Sequence, residues 1–534
     1  MSSATHGAKL LSFLQKAGRS GFSLLRRSLA LGFSNQDSPL NHLGALTIYF
    51  CWIVLISGIW LLIFFRTSVS GAFESVEYLT REQWYVGGIM RSLHRYASDA
   101  AIVTILLHVI NEFSRDTYRL KRWFSWVTGM PLIWMIFPLG ITGYWLVWDE
   151  LAQYVAITSA ELLDRIPVFT DSMAANFLSD VSLSDRFFTL MAFLHLIGLP
   201  LFLVFGIWLH VFRLSKPNIN PPRALMGGTL ICMLVLSLVF PADSQSKADL
   251  AMAPQTIELD WFYLHAYPLV QMWSPGWVWA LLLGLSALVV LAPWLPPAKA
   301  LPAAKVDLDN CNGCRRCADD CPFEAIRMAP RSDGQAYELE AVVDSDLCTS
   351  CGLCVGACPT STPFRSRSAL IPGIDLPDRS AAMLRESINR TANKLSGENR
   401  IIVFACSRSD ARTELLKAGQ AVVDVRCMGQ LPPSFADYVL SRDLADGVLL
   451  AGCRSGDCKY RYGMRWAEQR ISRQRDPRLR KRVNNQRIAC GWQQHWSTRG
   501  SVLKMLGAFQ ADLEAQRAEA RWRPDTVGTE ESAS

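Results

Sequence analysis

Residues 88–112 read GIMRSLHRYASDAAIVTILLHVINE, and residues 187–212 read FFTLMAFLHLIGLPLFLVFGIWLHVF. Each stretch is long and apolar enough for a membrane helix, and each carries two histidines, His94 with His108 and His195 with His210. Fourteen residues separate the first pair, which advances an α-helix by about 21 Å and returns the side chain to within about 40° of its starting face. Fifteen separate the second pair, which closes about 60° off on the other side. A lone histidine in such a stretch reads as a satisfied core residue. Ionisable groups are rare in lipid, however, and mark function when present. Four at matched intervals read as two facing columns of ligands, with room for two haems stacked across one membrane.

The rest of the chain supports a membrane setting. It has 534 residues, half of them hydrophobic (50%), and a net charge of +7, and its length suits three or four domains. Six runs are candidates to span, at 43–65, 88–112, 124–147, 187–212, 225–241 and 276–294. Basic residues precede the first run (Arg19, Arg26, Arg27), lie between the second and third (Arg115, Arg119, Lys121, Arg122) and follow the fourth (Arg213, Lys216, Arg223). The opposite loops hold Asp149, Glu150, Glu161, Asp164, Asp171, Asp180 and Asp185. The positive-inside rule then places both termini in the cytoplasm, with the chain multi-pass in the inner membrane. Residues 1–40 lack a long apolar core and a small-residue cleavage site, so they read as an amphipathic interfacial segment rather than a signal peptide. The arginine-dense stretch 461–487 reads as a solvated helix face, or alternatively as a dock for an acidic partner or lipid headgroups. It lacks aromatic interleaving, so nucleic acid is not an expected partner.

Glycines repeat the histidine interval. Gly44 and Gly58 lie in the first run and Gly129 and Gly143 in the third, each pair fourteen residues apart. Glycine lets a flat ring approach the backbone where any side chain collides; glycine is also a common packing residue in membrane helices. Arg91, three residues before His94, is a candidate partner for a haem propionate, the alternative being an arginine snorkelling to the interface.

These residues, with Gly143-Tyr144-Trp145-Leu146-Val147-Trp148 closing the third run, resemble cytochrome b of the quinol-oxidising respiratory and photosynthetic complexes over residues 40–296. The resemblance implies an all-α dihaem bundle, with one haem b between His94 and His195 on the outer side and a second between His108 and His210 on the cytoplasmic side. It also implies quinone as substrate and dimerisation through this domain. Ile257-Glu258-Leu259-Asp260-Trp261-Phe262-Tyr263 is similar to the family's Pro-Glu-Trp-Tyr segment at the outer quinone pocket, which makes Asp260 the candidate acceptor of a quinol proton. Leu259 stands where the family has proline, and Asp260 is shorter than the family's glutamate. A surface-loop acid is the alternative. His42 stands where some relatives carry a cysteine for a third haem, so no covalently attached haem is expected.

Of the 15 cysteines, only Cys51 and Cys232 fall in apolar runs, where a small buried hydrophobe is the ordinary role. The other thirteen lie on the side expected to be reducing, so metal ligation is favoured over disulfides. After a Pro- and Ala-rich linker at 295–305 come Cys311, Cys314, Cys317 and Cys321, then Cys348, Cys351, Cys354 and Cys358, the last of each run followed by proline. This doubled C-x2-C-x2-C-x3-C-P is the bacterial ferredoxin arrangement, in which the last thiolate of each run serves the other cluster. One [4Fe-4S] cluster is thereby assigned Cys311, Cys314, Cys317 and Cys358, and the other Cys348, Cys351, Cys354 and Cys321.

A second linker is expected at 364–398. Beyond it, three β-branched runs each end at a cysteine, Cys406, Cys427 and Cys453, and helical segments at 409–418 and 433–445 separate them. A small α/β domain over 399–514 with a parallel sheet follows, and ligands gather at the carboxyl ends of such strands. Cys458, five residues after Cys453, completes four sulfurs for a further iron-sulfur centre; buried structural cysteines are the alternative. Gly452-Cys453-Arg454-Ser455-Gly456-Asp457-Cys458 with Lys459-Tyr460-Arg461-Tyr462-Gly463 resembles the delta subunit of methyl-viologen-reducing hydrogenases, which implies a [2Fe-2S] centre on Cys406, Cys427, Cys453 and Cys458. A further cysteine of that family is Ser409 here, and Cys490 is a spare candidate. Residues 515–534 read as an acidic disordered tail.

No G-x-G-x-x-G, P-loop or Rieske cysteine-histidine pair occurs, so flavin or nucleotide chemistry belongs to a partner. The combination reads as an oxidoreductase subunit carrying single electrons between a soluble cytoplasmic flavoprotein dehydrogenase and membrane quinone, in either direction. The cofactors expected are two haem b, two [4Fe-4S] and one [2Fe-2S]. A membrane anchor that docks a cytosolic reductase is the second reading, distinguished by haem that never responds to quinol. A heterodisulfide-reductase-like enzyme ranks third, because no adjacent-cysteine motif is present.

Overall fold

The computed structural model describes residues 2–34, 37–166, 172, 184–212, 214, 217–252, 254, 256–295, 301–364, 369–407, 419–454, 458–493 and 501–522. Arg213, Lys216, Asp171, Asp180, Ser409 and the helix expected at 409–418 lie outside the described residues, as do 523–534. The chain divides into two units, 1–22 with 37–298 and 23–36 with 299–534.

The first unit is helical. Helix α1 (Ser2–Leu29) carries the basic amphipathic segment, and its Arg19 donates to the Ser114 carbonyl at 2.7 Å while Gln15 reaches Asp116 at 3.2 Å. Then follow α2 (Leu43–Phe64), α3 (Trp84–Ser114), α4 (Trp123–Val147), α5 (Glu150–Leu163), α6 (Phe188–Val211), α7 (Arg223–Val239) and α8 (Pro275–Trp294). Among the described residues, five helices (α2, α3, α4, α6 and α8) are long and apolar enough to cross a membrane. The sixth expected span is α7, whose 17 residues reach about 25 Å at 1.5 Å per residue, short of a hydrocarbon core of about 30 Å.

Neither α2 nor α4 contains a charged residue, so both remain helical in lipid by satisfying their own backbone. In α6 the turn Leu194–Gly198 widens into π geometry around His195. Pro200 explains the disturbance, because it has no N–H to donate to the Leu196 carbonyl. The densest packing is α2 on α3 and α4 on α6. Leu46, Phe50, Ile53, Leu93, Ala97, Ala101, Ile102 and Ile136 fill the core between them. Trp52, Ile56, Phe202, Phe205 and Trp208 stay exposed, the pattern of side chains that face lipid.

The second unit begins with two small antiparallel pairs, β1 (Lys305–Val306) with β4 (Ile374–Asp375), and β2 (Ile326–Pro330) with β3 (Leu339–Val343). Helix α9 (Ala381–Ala392) follows, its N-terminus capped by Ser380. The stretch 364–398 is therefore not a plain linker. It carries β4 and α9, and Leu384 and Ile388 of α9 join the core beyond.

A four-stranded parallel sheet completes the unit in the order β6 (Gln420–Val425), β5 (Ile401–Cys406), β7 (Gly447–Arg454), β8 (Ile488–Gln493). Helices α10 (Pro433–Ser441), α11 (Gly463–Ile471) and α12 (Ser501–Trp522) accompany it. Both faces are covered, so β5 is a continuous apolar run. Ile402 and Phe404 enter the core with α9 and α10, and Ile401 and Val403 pack beneath Val502, Leu506, Phe509 and Leu513 of α12. Two elements differ from expectation: β8 is a fourth strand, and residues 515–522 continue α12 rather than beginning a disordered tail. Phe404 is fully buried, and its replacement by alanine leaves a cavity worth about 3–5 kcal/mol. Phe404→Ala is expected to lower the unfolding free energy of this unit by that amount, measured by denaturant titration followed by circular dichroism on the full chain.

Candidate redox site

Each of the four glycines lies against one of the four histidines. A Cβ on Gly58 would stand 2.9 Å from His94 Cε1, on Gly143 2.9 Å from His195 Cε1, on Gly44 3.4 Å from His108 Cε1, and on Gly129 3.3 Å from His210 Cε1. The pairing follows the packing, with α2 supplying glycines to the histidines of α3 and α4 to those of α6. The space beside each imidazole is therefore held open by the absence of a side chain.

Hydrogen bonds determine which way the rings point. His94 Nδ1 donates to the Val54 carbonyl at 2.9 Å and His195 Nδ1 to the Leu139 carbonyl at 2.9 Å. A carbonyl only accepts, so the proton sits on Nδ1 and the lone pair of Nε2 is left for a metal. Ser57 Oγ and Thr142 Oγ1 lie 3.2 Å from the same two nitrogens, and Thr128 Oγ1 lies 3.3 Å from His210 Nδ1. These three hydroxyls were not anticipated, although the signal was present: each immediately precedes a glycine of the fourteen-residue series.

The His94 and His195 rings face each other with centroids 6.1 Å apart, which leaves room for one metal at roughly 2 Å from each ring nitrogen. His108 and His210 are likewise within electrostatic reach of each other. Bare helix faces, nitrogen lone pairs and spacing together fit haem between His94 and His195, and Gly44 and Gly129 leave similar space beside His108 and His210.

Arg91 is engaged within the chain. It donates to Thr80 Oγ1 and to Ser244 Oγ (2.7 Å), and Glu77 lies 3.7 Å away. Asp260 is buried rather than a loose surface acid. Tyr144 donates to its Oδ2, Arg95 lies 3.2 Å from Oδ2, and the Phe262 N–H donates to Oδ1 at 2.8 Å. Arg95 also faces Asp99 at 3.7 Å, so one guanidinium lies between two carboxylates. Arg95, Asp99 and Tyr144 are additions to the sequence reading.

Cys317 lies among Cys311, Cys314 and Cys358, and Cys354 among Cys321, Cys348 and Cys351, with Cys317 also in reach. Short helical turns at Arg316–Asp319 and Leu353–Ala357 carry the third thiol of each run inward. The second set lines a small pocket whose remaining walls include Ala304, Phe323, Ile326, Leu353 and Leu376. Backbone N–H groups of Ala325, Ala304 and Ser350 point at Cys321 and Cys348 Sγ at 3.3, 3.5 and 3.4 Å. Donors aimed at sulfur in an apolar cavity suit an anionic iron-sulfur cluster. Burial pushes the Cys317 and Cys351 thiols up to about 12, and neighbouring thiols add to the shift. Metal binding at these thiols therefore has to displace protons.

In the parallel sheet, Cys406 ends β5, Cys427 follows β6, Cys453 lies near the end of β7, and Cys458 follows it. Cys406 and Cys453 Sγ are 3.4 Å apart, and Cys458 interacts with both Cys427 and Cys453. Cys490, on β8, has Glu468 rather than these thiols as its charged neighbour. Gly463 admits no side chain, because a Cβ there would overlap Cys427 Sγ. Among the described residues, no three His, Cys, Asp or Glu side chains close around one point as a single bound ion requires.

Gly58→Ala and Gly143→Ala are expected to lose about half of the haem absorbance in the reduced spectrum of purified protein. Gly284→Ala on α8, where a Cβ meets nothing within 4 Å, is expected to retain all of it.

Residues 34–218 match the family described as cytochrome b/b6/petB, residues 310–362 the 4Fe-4S dicluster domain, and residues 401–515 the methyl-viologen-reducing hydrogenase delta subunit. A solved structure titled "Hyperthermophilic respiratory Complex III" is similar over 48% of this chain and 75% of that chain, with 19% identity and a TM-score of 0.39. The chain thus joins, in order, a cytochrome b/b6 segment, a 4Fe-4S dicluster domain and a segment matching the methyl-viologen-reducing hydrogenase delta subunit.

Proposed function

We propose that this protein is the membrane subunit of an oxidoreductase, carrying single electrons between a soluble cytoplasmic flavoprotein and membrane quinone. The observation that carries this reading is the presence, on one chain, of four histidines paired across a helix bundle and twelve cysteines gathered in three sets of four. His94 with His195 and His108 with His210 would hold two haem b. Cys311, Cys314, Cys317 and Cys358 would hold one [4Fe-4S] cluster, and Cys321, Cys348, Cys351 and Cys354 the other. Cys406, Cys427, Cys453 and Cys458 would hold a [2Fe-2S] centre. When bound, such groups supply reversible one-electron carriers at fixed positions.

The chain's own residues do the remainder. Val54 and Leu139 hold the imidazole protons on Nδ1, and the four glycines keep helix faces bare. Asp260 Oδ2, already accepting from Tyr144, is placed to take a proton released when quinol is oxidised. Arg95, beside it, balances the charge. The flavin site belongs to a partner subunit, as do substrate recognition and nucleotide binding. Six spans, the short α7 being accommodated by local thinning of the bilayer, cytoplasmic termini and dimerisation through the helical unit complete the proposal.

Anaerobic addition of a reduced quinol to the purified membrane protein tests it. The haem absorbance is expected to shift to its reduced form, and Asp260→Asn to slow that change about a hundredfold. Haem that is present but indifferent to quinol contradicts the proposal and favours a docking scaffold.

A further inference from the structure

The dicluster module and the parallel-sheet module meet across a seam where Cys351 and Leu353 pack against Trp466, with close backbone approach beside them. A Cβ on Gly429 would stand 2.8 Å from Leu353 Cδ2 and 2.9 Å from Gly463 Cα, and one on Gly352 2.8 Å from Gln430 Cγ. Two arginines cross this seam. Arg426 NH1 donates to the Ser350 carbonyl at 2.9 Å, and its NH2 pairs with Asp378.

Arg470, on α11, is the more buried, with its side chain 1% exposed. Its NH2 pairs with Asp320 Oδ2 at 2.5 Å, and its NH1 donates to the Gly429 carbonyl at 3.1 Å. A Cβ on Gly356 would lie 2.7 Å from the same NH1. Asp320 directly precedes Cys321, and Gly429 is two residues after Cys427. One guanidinium therefore ties a thiol-bearing loop of one module to a thiol-bearing loop of the other.

The same seam selects which dicluster set faces the sheet thiols. Cys427 is within electrostatic reach of Cys351 and of Arg470. Charge is unbalanced there as well. Asp320 also pairs with Arg475, whose guanidinium lies 4.4 Å from the centre of the Trp466 ring. One carboxylate thus answers two cations, so Asp320 does not by itself neutralise Arg470. A buried guanidinium is costly unless paired, and its field is felt strongly in a low-dielectric interior. Reduction of an iron-sulfur centre adds one negative charge, with no bond made or broken.

We infer that Arg470 is a positioning residue for transfer between the modules, holding the Cys321, Cys348, Cys351 and Cys354 set against the sheet thiols and favouring the reduced form of the centre held there. This inference rests on the thiols being iron-sulfur ligands, as set out under Proposed function.

Redox titration of the purified full-length protein, followed by electron paramagnetic resonance, tests it. Arg470→Met is expected to make one dicluster centre about tenfold harder to reduce, about 59 mV lower for a one-electron couple, and to leave the other unmoved. Arg470→Lys, which retains the charge, is expected to stay within about threefold of wild type. Asp320→Asn is expected to move the same centre in the opposite direction, and it decides alone should Arg470→Met fail to retain iron. Equal movement of both dicluster centres, or no movement in variants with full iron content, overturns the inference. Wild-type protein without any iron-sulfur signal refutes the underlying ligand reading instead.

Discussion

A flat macrocycle can lie inside a helix bundle only where each side offers a nitrogen lone pair and a helix face without side chains. In this chain both conditions come from one local arrangement used on α2 and α4. A glycine clears the face, the hydroxyl residue before it lies beside Nδ1, and a main-chain carbonyl one turn earlier takes the imidazole proton. Ser57-Gly58 with Val54 serves His94, and Thr142-Gly143 with Leu139 serves His195. The apolar core, the helix pairing and the fourteen-residue interval all keep these contacts in register.

The second unit meets a different constraint by similar means. Burial opposes ionisation of several of these thiols, Cys317, Cys351 and Cys354 among them, so a cluster whose iron ions repay deprotonation suits them. Short helical turns aim the dicluster thiols inward. In the sheet module, parallel strands end at one edge and bring Cys406, Cys427 and Cys453 together although they are far apart in sequence. Glycines 356 and 429 let the modules approach closely, Leu353 packs against Trp466, and Arg426 and Arg470 add charged hydrogen bonds across the seam.

Much of this was legible in the residues alone, because the chemistry is periodic. Histidine and glycine intervals follow helix geometry, and the cysteine runs follow the spacing of a cluster's corners. What was not legible depended on tertiary placement. Arg470 sits in a basic stretch that reads as a solvated face, and only the fold shows it buried against Asp320. Asp260 reads as a loop acid or a quinone-site acid, and its burial beneath Tyr144 and Arg95 needs three distant segments. Helix α9 was hidden in a polar stretch rich in Ser and Arg, since its core contribution is limited to residues such as Leu384 and Ile388. Strand β8 was missed because Ile488-Ala489-Cys490-Gly491 is too short and mixed a run to signal an edge strand.

The central claim is a continuous set of one-electron carriers on a single polypeptide, inside and outside the bilayer. Quantitative haem, iron and acid-labile sulfide analysis of the purified full-length protein tests it most directly. The account predicts about two protohaems and about ten non-haem irons per chain, matched by equal sulfide. Protein that purifies folded without protohaem, or with zinc in place of iron and sulfide, would contradict it.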